Sequence, residues 1–259
     1  MISNGKFYES QFEEATIELL REAHWQYAFG DDIHRKYTDP LIEEELRNFL
    51  TVQYKDKNLT TSEMDSIVAN LRNTGGQNDY YALRNAFLLY RDGYDFAYSD
   101  GRDNPFRLEY IDFEHPDHNI FRCVNQFVME QGRENRRPDI LLFINGIPVC
   151  IIELKNPTKQ NATIHDAHTQ ICTRYMRDIP ALLKYCALAV ISDGAKNALG
   201  TTYTPFEFFY EWKKIENEDK AGKGLDTLRT LIRGALSPER ILEILRDYVY
   251  FPDPTKEDD

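Results

Sequence analysis

The chain opens on a helical rhythm. Over SQFEEATIELLREA (10–23), Phe12, Ile17, Leu19 and Leu20 recur on one helix face. The same spacing predicts helices over 39–53, 60–73 and 79–92, the second opening with Thr60 and Glu63 as a capping box. From Phe106 the pattern changes to strands: RLEYIDF, then NIFRCVNQFVME, then two apolar runs over 140–144 and 149–152. The Asn145-Gly146 pair joining those runs is a strong hairpin signal. Further on, 162–178 reads as a helix, 187–194 as a buried strand and 206–215 as a mixed aromatic segment. Ser237-Pro238 supplies a cap followed by Pro at the first position of a helix over 238–249. A strand meander followed by a helical crossover predicts an α/β fold, a mixed central β-sheet flanked by helices. The expected organisation is one domain over 1–259, with 35–95 a helical insertion and 105–215 the core.

Composition narrows the class. With 259 residues, 42% hydrophobic and 13% aromatic, the chain can bury a sizeable core. No apolar run approaches the roughly 20 residues a bilayer crossing needs. The polar, acidic start MISNGKFYESQFEE is unlike a secretory signal, so a cytoplasmic protein without membrane contact is expected. Cys123, Cys150, Cys172 and Cys186 form no CxxC pair and read as reduced core thiols. The net charge of −12 argues at first against a nucleic-acid partner. The acid is uneven, however. The N-terminal third, ENEDK and PTKEDD carry much of it, while Arg133, Arg136, Arg137, Lys155, Lys159, Arg174 and Arg177 gather around the hairpin strands. Charge alone therefore leaves DNA open as a partner.

The anomaly lies in RRPDILLFINGIPVCIIELKNP (136–157), where both faces of each strand are apolar yet Asp139, Glu153 and Lys155 flank them. Such charges are costly beside a buried sheet unless paired, metal-bound or in use. A strict two-residue loop pairing Ile144 with Ile147 would put Asp139 and Glu153 on opposite faces. A three-residue loop over Ile144, Asn145 and Gly146, pairing Phe143 with Ile147, brings Asp139, Ile151, Glu153 and Lys155 to one face, and this register is expected. Asp139 and Glu153 would then be diagonal neighbours, roughly 7–8 Å apart at the backbone, a span one metal ion can bridge. Two carboxylates suit Mg²⁺, with the Leu154 carbonyl a natural extra ligand and Lys155 placed to orient a water or offset charge on a phosphodiester.

This stretch resembles the PD-(D/E)xK nuclease motif, with Asp139 and Glu153-Leu154-Lys155 in its slots. Continuing through TQICTRYMRDIPALLKYCALAVISDG, TTYTPFEFFYEWK and SPERILEILRDYVYF, residues 105–250 resemble the N-terminal endonuclease region of the R (restriction) subunit of type I restriction enzymes. The resemblance implies Mg²⁺-dependent cleavage of double-stranded DNA, coupled in the family to an ATP-driven helicase motor in the same polypeptide. Sequence reading in the family belongs to a specificity subunit assembled with a methylation subunit. No GxxxxGK[ST] loop occurs here, and Gly222-Lys223-Gly224 lacks its spacing, so the chain is expected to lack the motor domains and not to bind ATP. The resemblance also implies an acidic metal ligand on the first helix, Glu13 in preference to Glu9 or Glu14, because Glu13 shares the inward face of Ile17 and Leu20. It further implies a Gln and a Tyr after the ExK strand, matched by Gln170 and Tyr175. Five positions turn an α-helix by about 500°, which would set those two side chains obliquely. Arg137, Gln170, Arg174 and Tyr175 are the residues expected to hold the DNA backbone.

Other signals weigh less. His165 and His168 make an incomplete zinc set, and the aromatics Phe206, Phe208, Phe209, Tyr210 and Trp212 read as core or as a docking face for the motor. Two rival functions stay open on sequence. One is a stand-alone PD-(D/E)xK restriction or repair nuclease. The other is a non-catalytic acidic docking or DNA-mimic domain, in which the three charges form a buried ion network.

Overall fold

Asn145-Gly146 sets the centre of the molecule. Both residues take positive φ (51° and 76°), the conformation of a tight two-residue hairpin turn. Asn145 is fully buried, and its amide donates to the Tyr110 carbonyl and to Asn119 Oδ1 (3.0 and 2.8 Å). Gly146 has no room for a side chain, because a Cβ there would sit 2.2 Å from the Ile42 carbonyl oxygen. The computed structural model describes residues 4–155, 163–215, 222 and 224–253, with side chains from Ser10 onward. Lys159, ENEDK and PTKEDD lie outside the described residues.

The turn joins β7 (Ile140–Ile144) to β8 (Ile147–Leu154), the two central strands of a six-stranded sheet ordered β1-β4-β7-β8-β9-β10. The others are β1 (Gln26–Phe29), β4 (Phe121–Asn125), β9 (Leu188–Ser192) and β10 (Asn197–Thr201). Pairs β1–β4 and β8–β9 are parallel and the other three antiparallel, so the sheet is mixed as expected. Two two-stranded ribbons stand apart from it, β2 (Tyr94–Phe96) with β3 (Phe106–Leu108), and β5 (Met129–Gln131) with β6 (Glu134–Arg136).

Helices cover both faces, which is why every residue of β7 and β8 is buried. On one face α1 (Asn4–Glu22) contributes Ile17, Leu19 and Leu20. The layer also holds Leu46, Phe49 and Leu50 of α2 (Glu43–Gln53), Ile67 and Leu71 of α3 (Thr61–Asn73), and Leu83 and Phe87 of α4 (Asp79–Asp92). Thr60 and Glu63 form the expected capping box at the start of α3. On the other face, α5 (Ile164–Thr169) runs into a π-helical turn, Gln170–Tyr175, then α6 (Met176–Asp178) and α7 (Pro180–Leu183). Ala167, Ile171, Tyr175, Leu182 and Leu183 pack there with Leu141, Phe143 and Ile151. Finally α8 (Leu225–Ala235) and α9 (Pro238–Glu243) close against α1's side, where Trp25 Nε1 donates to the Leu236 carbonyl (2.6 Å).

Several expected boundaries shift. The first part of 39–53 is not helical, and α2 starts at Glu43. RLEYIDF is strand only to Leu108, because Tyr110 and Ile111 turn into the core. NIFRCVNQFVME breaks after Asn125, where Gln126 takes a positive φ of 55° and separates β4 from β5. Strands β1 and β10 and helix α8 are additions to the sequence reading.

Candidate active site

The expected hairpin register is corrected by the structure, and the expected shared face survives for a different reason. The loop has two residues, with Ile144 opposite Ile147 and Phe143 opposite Pro148. A β-bulge then slips the ladder by one, so that Leu142 faces Cys150, Leu141 faces Ile151 and Ile140 faces Ile152. Val149 and Cys150 both turn to the α1 side, consuming the extra residue. Continued by one step, the shifted register brings Asp139 opposite Glu153. The contact made there is direct, with the Leu154 N–H donating to Asp139 Oδ2 at 2.7 Å.

Glu153 is 1% exposed, and its Oε1 accepts from Lys155 Nζ at 2.8 Å. Its other oxygen, Oε2, is buried with no donor in hydrogen-bonding geometry, although the Tyr175 hydroxyl lies close enough to the carboxyl to favour its ionised form. Burial above all, then the nearby Asp139 carboxylate, pushes the Glu153 carboxyl up to about 8, against the opposing pull of Lys155 and Tyr175. Lys155 reaches across to Gln170 Oε1 (2.6 Å), and Gln170 Nε2 donates to the Tyr175 hydroxyl (2.6 Å). The two residues expected to be oblique are therefore in direct contact. The reason is the π-turn: closing its rings between residues five apart puts positions 170 and 175 on one side of the helix. Tyr175 is buried, 3% exposed.

Glu13 lies half-buried on the sheet side of α1, whereas Glu14 is exposed. Asn125 Nδ2 (2.6 Å) and Gln126 Nε2 (3.0 Å) both donate to Glu13 Oε1. Asn125 ends β4 opposite Ile140, so these contacts draw Glu13 to the end of the sheet that carries Asp139. Sequence reasoning missed Asn125 and Gln126; their signal is a pair of amides closing an apolar strand.

The expected basic cluster is thinner than its residue count. Arg136 is spent on Asp178 (2.7 Å) and Glu134 (2.5 Å), and Arg177 on Asp178 (2.6 Å). Arg133, Arg137 and Arg174 are exposed. His165 and His168 are not drawn together as ligands. Their rings pack edge-on against Phe206 (4.9 and 5.6 Å between centroids), and His168 Nε2 lies 2.9 Å from the Thr204 carbonyl. Cys123, Cys150, Cys172 and Cys186 are all free thiols, as expected.

A mixed α/β sheet with an Asp at the start of one central strand and Glu-x-Lys at the end of the next is a restriction-endonuclease-like architecture. The particular family follows from comparison: residues 6–208 match the model of the type I restriction enzyme R protein N terminus, and the chain belongs to that family. Its relatives include the type I restriction enzyme HindI endonuclease subunit of Haemophilus influenzae, 29% identical over 94% of this chain and 24% of that protein. Another is the putative type I restriction enzyme MjaIXP endonuclease subunit of Methanocaldococcus jannaschii, 28% identical over 92% of this chain and 25% of that protein. The type I restriction enzyme EcoprrI endonuclease subunit of Escherichia coli is 31% identical over 48% of this chain and 40% of its own length. The chain thus spans about a quarter of the first two relatives. Among the described residues, no helix is long and apolar enough to cross a membrane.

Proposed function

We propose that this chain is the DNA-cleaving part of a type I restriction R subunit, hydrolysing phosphodiester bonds of double-stranded DNA at Asp139, Glu153 and Lys155 with Mg²⁺. The observation carrying this reading is the buried, unpartnered Oε2 of Glu153 beside Asp139. A buried carboxylate oxygen without a donor is costly, and a divalent cation relieves that cost while holding the group ionised. Asp139, Glu153 and the Leu154 carbonyl would hold the ion, with Glu13 as a further acidic ligand from α1. The hard oxygen donor set fits Mg²⁺. When bound, the ion activates a water and offsets charge developing on the phosphate.

The chain's own residues would do the rest. Lys155, fixed between Glu153 and Gln170, puts an ammonium where negative charge grows. Gln170 and Tyr175 act on DNA through the position of Lys155, because the Gln170 amide is engaged at both ends and Tyr175 is buried. Exposed Arg137 and Arg174 take the phosphate backbone, which orients a duplex without reading it. Site choice, in this reading, comes from specificity and methylation subunits, and ATP is used by motor domains of the full polypeptide.

The test is a melting titration with Mg²⁺ and Mn²⁺. A ligand at a hundredfold over its Kd adds about 2.7 kcal/mol to the folded state, so wild type should melt higher and Asp139→Ala should lose most of the gain. Unchanged melting in both proteins would remove the metal and leave the docking reading. In the assembled enzyme, Asp139→Ala and Lys155→Ala should each abolish cleavage while ATP hydrolysis persists.

A further inference from the structure

A second cluster of ligating side chains sits far from Asp139, in the loop between β3 and β4. Asp112 is 5% exposed, and its Oδ1 accepts from the backbone N–H groups of Glu114 and His115 (3.0 and 2.9 Å). Its other oxygen, Oδ2, lies 2.9 Å from His118 Nδ1 and 3.3 Å from His115 Nδ1. Gln53 Nε2 approaches the same oxygen at 3.2 Å. The two imidazoles lie nearly parallel, 4.8 Å between centroids and 21° between planes, and one donor atom from each of the three residues falls within 4.8 Å of the others.

We propose that Asp112, His115 and His118 form a divalent transition-metal site, with Zn²⁺ the best-fitting ion and a solvent-facing fourth position. Zinc bonds of about 2.0–2.2 Å to N and O put tetrahedral ligand atoms roughly 3.3 Å apart. That edge matches the 3.3 Å from Asp112 Oδ2 to His115 Nδ1, exceeds the 2.9 Å to His118 Nδ1 and falls inside the 4.8 Å spread of the set, so small rotations of the two exposed imidazoles bring the three atoms to it. Two imidazoles with one carboxylate favour Zn²⁺, Co²⁺ or Ni²⁺ over Mg²⁺, so this site and the Asp139–Glu153 site would select different metals. The support expected behind metal ligands is present. The Asp112 N–H donates to Asn119 Oδ1 (2.9 Å), and Asn119 Nδ2 donates to the Asp112 carbonyl (2.7 Å). Asn145 of the hairpin turn binds the same Asn119 oxygen (2.8 Å). The cluster is thereby clamped to the turn end of β7 and β8, opposite the end that bears Asp139 and Glu153. Both imidazoles are exposed (64% and 49% of each side chain), which leaves an entry path. Its role is structural: the ion ties the loop over 112–119 to the turn and, through Gln53, to α2.

Co²⁺ added to the metal-free, tag-free protein provides the test, because four-coordinate Co²⁺ absorbs visibly and Zn²⁺ displaces it. Wild type and Glu153→Gln should give the same bands, displaced by Zn²⁺ but not by Mg²⁺. His115→Ala and His118→Ala should each weaken binding by more than the roughly 10–100-fold typical of losing an outer-shell partner. Both histidines are exposed, so these variants should fold, as circular dichroism will verify. Absence of the bands in wild type, their persistence in both histidine variants, or their loss in Glu153→Gln would each overturn the proposal. Asp112 would then be a turn-capping carboxylate hydrogen-bonded to two imidazoles.

Discussion

Glu153 is a carboxyl group buried almost completely at the end of a central strand, beside a second carboxylate. Its position after a run of apolar strand residues marks it on sequence alone, but the direction of its titration follows from complete burial, which only packing supplies. A carboxyl raised to about 8 stays protonated in the folded metal-free protein while its unfolded counterpart ionises near 4.5. Stability from this group is therefore fully present below the unfolded value and is lost as pH rises through about 8. Thermal melts from pH 4 to 9 should show that decline in metal-free wild type, and Glu153→Gln should flatten it. Mg²⁺ needs the ionised form, so its apparent affinity should climb by up to about tenfold per pH unit until about pH 8. The same scale explains an easy oversight: the D-x-x-H-x-x-H spacing of Asp112, His115 and His118 is as legible as HDAH at 165–168, yet only contacts distinguish a convergent set from two rings packed on Phe206.

Two local irregularities bring the candidate site residues together. The bulge in β8 moves Asp139 and Glu153 to one face, and the π-turn over Gln170–Tyr175 brings Gln170 and Tyr175 together. Neither follows from the ideal periods of strand or helix, so a count based on period 2 or 3.6 misplaces the bulge and sets the Gln–Tyr pair askew. Gln170→Ala separates positioning from metal binding. It should lower cleavage in the assembled enzyme by releasing Lys155, while the Mg²⁺-induced rise in melting temperature stays near wild type. The turn is a structural counterpart. Gly146→Ala should destabilise by more than about 1–2 kcal/mol, the αL cost of a Cβ, because that Cβ also meets the Ile42 carbonyl at 2.2 Å. Urea midpoints would measure it, and a change below about 0.5 kcal/mol would mean the hairpin tip relaxes freely.

At the level of the whole molecule, a net charge of −12 does not by itself exclude DNA as a partner, because charge local to a site, not the total, meets a phosphate backbone. Arg136 and Arg177 share Asp178 as an ion-pair partner, with Glu134 a second partner of Arg136, while Arg137 and Arg174 stay exposed on segments that carry Asp139 and Gln170. If those two contact phosphates, Arg137→Ala and Arg174→Ala should each reduce the slope of log affinity against log salt by about one, uniformly across DNA sequences. A slope unchanged in both would move the DNA path elsewhere on the surface.

The chain order of apolar periods is enough to specify α/β class and the central hairpin and to single out Asp139, Glu153 and Lys155 as candidates, because these depend on residue type and on neighbours close in sequence. Strands β1 and β10 escaped that reading: QYAF and NALGT are short and weakly patterned, and they become strands only by pairing with β4 and β9. Helix α8 was readable from Leu225, Leu228, Leu231 and Ile232, but its place over the sheet was not. Which carboxylates meet, which oxygen is left without a donor and which arginines are already paired were decided by tertiary contacts. Those contacts join residues distant along the chain, and their geometry turns on single-residue slips that local sequence preference does not control.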